Sequence, residues 1–151
     1  MKKWRNVCLI TILLLLLSAC GNNEIKSVQK TYIEIDKGEK VEELIFHATI
    51  SDKSMEPDTP FTVRFYLSDP TLRKALGIDM LFVEKEYKSG SKGDKHQTFK
   101  TTYQAKLKET LNTNKLKKII ENNEEEAVEV EVIGPDKVLS TKSIHEVKIK
   151  E

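Results

Sequence analysis

From Val28 onward, apolar and polar residues alternate with a period of two, the pattern of strands that bury one face and wet the other. Ile33 and Ile35 alternate with Glu34 and Asp36; Leu44, Phe46, Ala48 and Ile50 with Ile45, His47 and Thr49; Phe61, Val63, Phe65 and Leu67 with Thr62, Arg64 and Tyr66. The longest run sets Phe99, Thr101, Tyr103, Ala105 and Leu107 against Lys100, Thr102, Gln104 and Lys106. Met80 to Lys88 reads as a further strand, Val128 to Val132 as a sixth and Val147 to Ile149 as a seventh. Half-buried strands of this kind belong to antiparallel sheets. Turn residues separate them at Asp36-Lys37-Gly38-Glu39, at Ser89-Gly90-Ser91-Lys92-Gly93-Asp94, and at Ile133-Gly134-Pro135-Asp136-Lys137, this last between the final two strands.

Two short stretches switch to helical spacing. Asp69-Pro70 has the order of an N-cap and first helical residue, Leu72, Ala75 and Leu76 share a face, and Gly77 ends the turn. Asn112 or Thr113 is placed to cap a second helix with Leu116, Ile119 and Ile120 inward and Lys115, Lys117 and Lys118 outward, stopping at Asn122-Asn123. The expected fold is mainly β: an antiparallel two-sheet Greek-key sandwich of about seven strands with one or two short connecting helices. Phe46, Phe61, Phe65, Phe99, Tyr103, Val130 and Ile149 are its expected core.

The first twenty residues follow a different logic. Lys2, Lys3 and Arg5 precede an apolar run from Val7 to Leu17, and Leu17-Ser18-Ala19-Cys20 closes it. A basic head, an apolar run and small residues are the parts of a secretory signal, and the run falls short of the ~20 apolar residues that span a bilayer. Leu17-Ser18-Ala19-Cys20 resembles the lipobox of bacterial lipoproteins. That resemblance implies peptidase recognition of Leu17, Ser18 and Ala19, cleavage before Cys20, and acylation of Cys20 with palmitate-type chains. It further implies residues 1–19 as signal peptide, residues 20–27 as a polar tether, and residues 28–151 as the sandwich. The address is then the extracytoplasmic side of a cell membrane, or the outer membrane in a two-membrane source, since Gly21 carries no retention charge.

Cleavage leaves no free thiol: Cys8 departs and the sulfur of Cys20 is consumed, so stability rests on the core. It also shifts the charge. The whole chain has 25 basic and 24 acidic residues; without Lys2, Lys3 and Arg5 there are 22 basic against 24 acidic, a net of −2. Nucleic-acid binding needs clustered positive charge, and this balance argues against it. The strand count and spacing of residues 28–151 are similar to immunoglobulin-like or fibronectin type III-like domains, but without their cysteine pair, and the only tryptophan is Trp4 in the signal.

Chemistry is sparse. His47, His96 and His145 fall on separate expected strands without zinc-site spacing, and Asp52, Glu56 and Asp58 miss the calcium-loop pattern. Ser91 has no neighbouring base, and its hairpin is not a phosphate loop. No metal or cofactor is expected. Lys88, Lys92, Lys95 and Lys100 surround the middle hairpin as a candidate contact for anionic headgroups or an anionic wall polymer, against the plainer reading of a solvated turn. Glu124-Glu125-Glu126 discourages edge pairing before a strand. The favoured function is therefore a lipid-anchored binding module for another envelope component and not an enzyme, a hydrolase being the least favoured reading; the alternative is a small-molecule carrier or sensor, which would need an apolar pocket between the sheets.

Overall fold

Along Lys40–Ser51 (β2), Leu44, Phe46, Ala48 and Ile50 are buried while Ile45, His47 and Thr49 are only half-buried. The same alternation runs through Pro60–Leu67 (β3), where Phe61, Val63, Phe65 and Leu67 are buried, and through Val128–Ile133 (β7), where Val128, Val130 and Val132 are. Such faces are stable only against each other. The computed structural model describes residues 26–122 and 124–150, which form a two-sheet Greek-key sandwich of nine strands with two α-helices.

One sheet has the order β6-β2-β1-β9, with β1 at Val28–Ile35, β6 at Thr98–Asn112 and β9 at Val147–Ile149. The other has the order β4-β3-β7-β8, with β4 at Met80–Phe82 and β8 at Val138–Ser143; β5, Tyr87–Lys88, pairs with the start of β3. Phe46 of one sheet meets Phe65 of the other with ring centroids 5.3 Å apart. Phe61, Tyr87 and Phe99 form a second aromatic cluster, with centroids 5.2 to 5.6 Å apart.

Both helices form where their caps stand. Asp69 accepts a hydrogen bond from Leu72 N–H at 2.9 Å to start α1, Pro70–Leu76, and Gly77 ends it at φ +71°. Gly77 is favoured by its left-handed backbone; a Cβ there would displace the flexible end of the Lys108 side chain, which lies over it. Lys108 belongs to a stretch of β6 that leaves the ladder, since Glu43 pairs with Lys106 but Val41 with Leu111. On the α1 side, Lys74 pairs with Glu109 at 3.2 Å. Asn112 caps α2, Thr113–Ile120, accepting from Asn114 and Lys115 N–H.

Several expectations need correction. The Met80–Lys88 run is two short strands, β4 and β5, and a strand unmarked in the sequence, β8, brings the total to nine. The turn at Gly134–Lys137 therefore joins β7 to β8, while Val147–Ile149 crosses back and pairs parallel with β1, so the sandwich is not purely antiparallel. Ile149 leaves the core list at 43 % exposure because it ends an edge strand, and Phe99 and Tyr103 are only partly buried. His96 and His145 lie in connections rather than strands. Just ahead of β1, buried Ser27 donates its N–H to Ser140 Oγ, and its carbonyl accepts from Ser51 N–H at 2.8 Å.

Register also fixes which loops cluster. Val28 pairs with Ile50, Thr98 with Ser51, Pro60 with Lys88, and Thr62 with Ile133. The first residues of the domain, the β2–β3 loop, the β5–β6 loop and the β7–β8 turn thus share one end of the sandwich. Both helices, Glu124–Glu126 and the last residues lie toward the other.

Candidate functional site

Three surfaces carry side chains that the core does not absorb. The first is the outer face of the β4-β3-β7-β8 sheet. In β4, alternation places Met80 and Phe82 on that face, while Leu81 turns inward and is buried; Ile78 lies just ahead of the strand, after the tight cap at Gly77. Ile78 is 45 % and Phe82 57 % exposed, which gives an apolar stripe along the sheet edge. Beside it, Met80 pairs with Tyr66 and Phe82 with Arg64; one strand further, Tyr66 faces Glu129 and Arg64 faces Glu131. The Arg64 guanidinium Nε bonds the Glu131 carboxylate. Exposed aromatic and apolar residues beside an arginine are the composition of contact surfaces that hold protein partners.

The electrostatics of this face are unbalanced. Burial raises the Glu129 carboxyl above its ordinary value, and the negative charges of Glu126 and Glu131 push the same way. A folded-state value above the unfolded one means that the carboxyl favours folding below its ordinary range and loses that contribution as pH rises through the folded value. Glu129→Gln is therefore expected to raise the thermal unfolding midpoint at neutral pH, with the gain vanishing near pH 4. Scanning calorimetry at the two pH values checks this; equal midpoints at neutral pH would mean that the carboxylates do not repel.

The second surface is the outer face of the other sheet. His47 stacks on Tyr32 with centroids 4.3 Å apart, Lys148 Nζ lies 4.2 Å from the Tyr32 ring centre, and Glu34 Oε2 stands 3.8 Å from His47 Nε2. That nitrogen is buried without a hydrogen-bond partner. Burial lowers the His47 value; Glu34 opposes the shift and Lys148 adds to it. Its stabilising contribution is thus present above the ordinary histidine value of 6.5 and is lost as pH falls through the folded value. Replacing His47 by Phe, which keeps a ring against Tyr32, is expected to flatten the decline in melting temperature between about pH 7.5 and pH 5.5. A variant with the wild-type slope would assign that decline to other groups.

The third surface is the loop end. Asp52, only 5 % exposed, accepts from Gly90 N–H at 2.9 Å and Gln97 N–H at 2.8 Å. Asp58, at φ +58°, pairs with Lys88 Nζ at 2.8 Å and accepts from Ser91 Oγ at 3.0 Å, contacts that hold its carboxyl below the usual range, Lys88 most of all. Of the acidic residues weighed as calcium ligands, Asp52 and Asp58 therefore brace the β5–β6 loop with their carboxylates, and Glu56 only with its backbone carbonyl, which accepts from Ser89 Oγ at 2.7 Å. Of the four lysines singled out in the sequence, Lys92 and Lys95 sit exposed in that loop, Lys88 is engaged by Asp58, and Lys100 lies opposite Thr49 on the His47 face. Open grooves flank this end, one of about 370 Å³ lined by Met55, Pro60, Pro135 and Leu139 among others, and one of about 270 Å³ beside Phe61 and Ile133.

Cys20, Leu17, Ser18 and Ala19 lie outside the described residues. Among the described residues, no three His, Cys, Asp or Glu side chains are grouped to hold a metal ion, and no helix is long and apolar enough to cross a membrane. No protein-family model matches the chain, and neither curated proteins nor solved structures give a match.

Proposed function

We propose that this chain is a lipid-anchored extracytoplasmic binding module, held through Cys20 and presenting the outer β4-β3-β7-β8 face to another envelope protein. The observation that carries the reading is the stripe Ile78, Met80 and Phe82, with two of its three residues well exposed, beside the Arg64–Glu131 pair and the mutually repelling Glu129. A partner that buries the stripe and brings a cation toward Glu126 and Glu129 gains from both. The strand order β6-β2-β1-β9 opposite β4-β3-β7-β8 supports the immunoglobulin-like resemblance, a layout that presents sheet faces and loops for recognition.

Phe82→Ser and Cys20→Ala test the two halves. Crosslinking in intact cells, followed by affinity capture of the chain, is expected to recover a partner whose yield falls about tenfold with Phe82→Ser, the loss typical of a hot-spot side chain. Cys20→Ala is expected to move the chain out of the membrane fraction. Capture unaffected by Phe82→Ser would remove this face from the proposal, and membrane fractionation unaffected by Cys20→Ala would remove the anchor.

A further inference from the structure

The loop end is built asymmetrically. Asp52 is buried against Gly90 and Gln97, while Asp58 and Asp94 stay exposed but spend their carboxylates within the tip, Asp58 on Lys88 and Ser91 and Asp94 on Ser91 N–H at 2.9 Å. Lys53, on the turn whose Asp52 holds the β5–β6 loop, is exposed, as are Lys92 and Lys95. The three aspartates of this tip are engaged in shaping the loop, whereas Lys53, Lys92 and Lys95 form no ion pair among the described residues. Glu56 and Asp136 are exposed on the flank beside the 370 Å³ groove and bound the patch there.

Position gives that patch a destination. Ser27, fixed against Ser51 and Ser140, marks where the domain begins, and it lies at the same end as the lysine tip. Seven residues, Cys20 to Lys26, separate this point from the expected lipid; at ~3.3 to 3.6 Å per extended residue they reach about 25 Å at most. The twelve-residue β2 carries the opposite end about 40 Å further away at ~3.3 Å per residue.

We infer that the loop end of the sandwich rests against an anionic lipid surface through Lys53, Lys92 and Lys95, leaving the Phe82 face lateral and the helices and Glu124–Glu126 directed away from the bilayer. This rests on the anchored reading of Cys20. Lysines near a charged bilayer strengthen its hold about fivefold each, and the attraction decays over a Debye length. A tether this short keeps the tip in range.

The full chain, purified with its lipid and reconstituted into vesicles, tests the orientation. A fluorophore on Ser54→Cys reports the tip and one on Glu125→Cys the far end, each read against a quencher carried on lipid headgroups. With about 30 % phosphatidylglycerol, the Ser54 label is expected to be quenched at least threefold more than the Glu125 label. The excess should shrink in pure phosphatidylcholine, in about 0.5 M salt, and in the combined Lys53→Gln, Lys92→Gln, Lys95→Gln variant. Equal quenching of the two labels on chain that floats with vesicles would overturn the orientation and leave the anchor standing. Chain that fails to float with neutral vesicles would remove the anchor and this inference together. Stronger lysine-dependent retention by an insoluble anionic wall fraction than by the vesicles would overturn the lipid assignment.

Discussion

Phe46→Ala is expected to destabilise the domain by about 3–5 kcal/mol, the range for deleting a fully buried phenylalanine. Phe46 has no exposed surface, and its ring meets Phe65 across the two sheets at 5.3 Å with a 44° tilt. Truncation therefore opens a cavity where β2 of one sheet packs on β3 of the other, and neither ladder can shift to fill it without slipping register. Single domains are stable by roughly 5–15 kcal/mol, so this one change can consume most of the margin. Urea unfolding should show a lower midpoint with an unchanged slope. Phe46→Leu, which refills part of the volume, should cost about 1–2 kcal/mol. Ile45→Ala, one residue away on the outer face, should cost less than about 1 kcal/mol. If Ile45→Ala were the more damaging, the assignment of faces along β2 would be wrong.

The same strand shows why much of the fold was legible in the sequence. Where one face is buried and the other wet, period two and the turn residues determine strand, face and register together, as in β2, β3, β7 and the first ten residues of β6. Helix α1 was equally readable, because Asp69, Pro70 and Gly77 each have one backbone role there. The failures are physical too. β8 holds Ser140, Thr141 and Ser143 where apolar residues would advertise a strand, because it lies at a sheet edge and its one buried position, Ser140, accepts a bond from the chain at Ser27. β9 is three residues long and takes its place by long-range parallel pairing with β1, which leaves no local trace. The stripe Ile78, Met80 and Phe82 was hidden by Leu81 and Val83: apolar residues on both faces of a short run read as doubly buried, and only the fold reveals that one face is open. The lysines of the middle hairpin were found, but charge alone did not separate engaged Lys88 from free Lys92 and Lys95; Asp58 does.

Asp52→Ala is expected to cost about 2–3 kcal/mol, since hydrogen bonds to an ionised group contribute ~1.5–3 kcal/mol each and water can reach part of the vacated site. The carboxylate spans two segments far apart in sequence, one oxygen on Gly90 N–H and the other on Gln97 N–H. The backbone closes the same link in reverse, with Asp52 N–H donating to the Gln97 carbonyl at 3.2 Å. Removing the side chain leaves two part-buried donors unpaired and frees the loop that carries Lys92 and Lys95. Asp52→Asn separates charge from shape: its amide keeps one acceptor and turns an N–H₂ group toward the other donor, so its stability should fall between wild type and alanine. Amide hydrogen exchange at Gly90 and Gln97 should accelerate in both variants, more in alanine, while exchange at Val130 in the core tracks only the global loss. An Asp52→Asn protein as stable as wild type would mean that the charge contributes nothing to the brace. If the brace is what holds the lysine tip in shape, Asp52→Asn should also weaken the anionic-lipid dependence of quenching at Ser54 while all three lysines remain, and that coupling ties loop stability to orientation on the membrane.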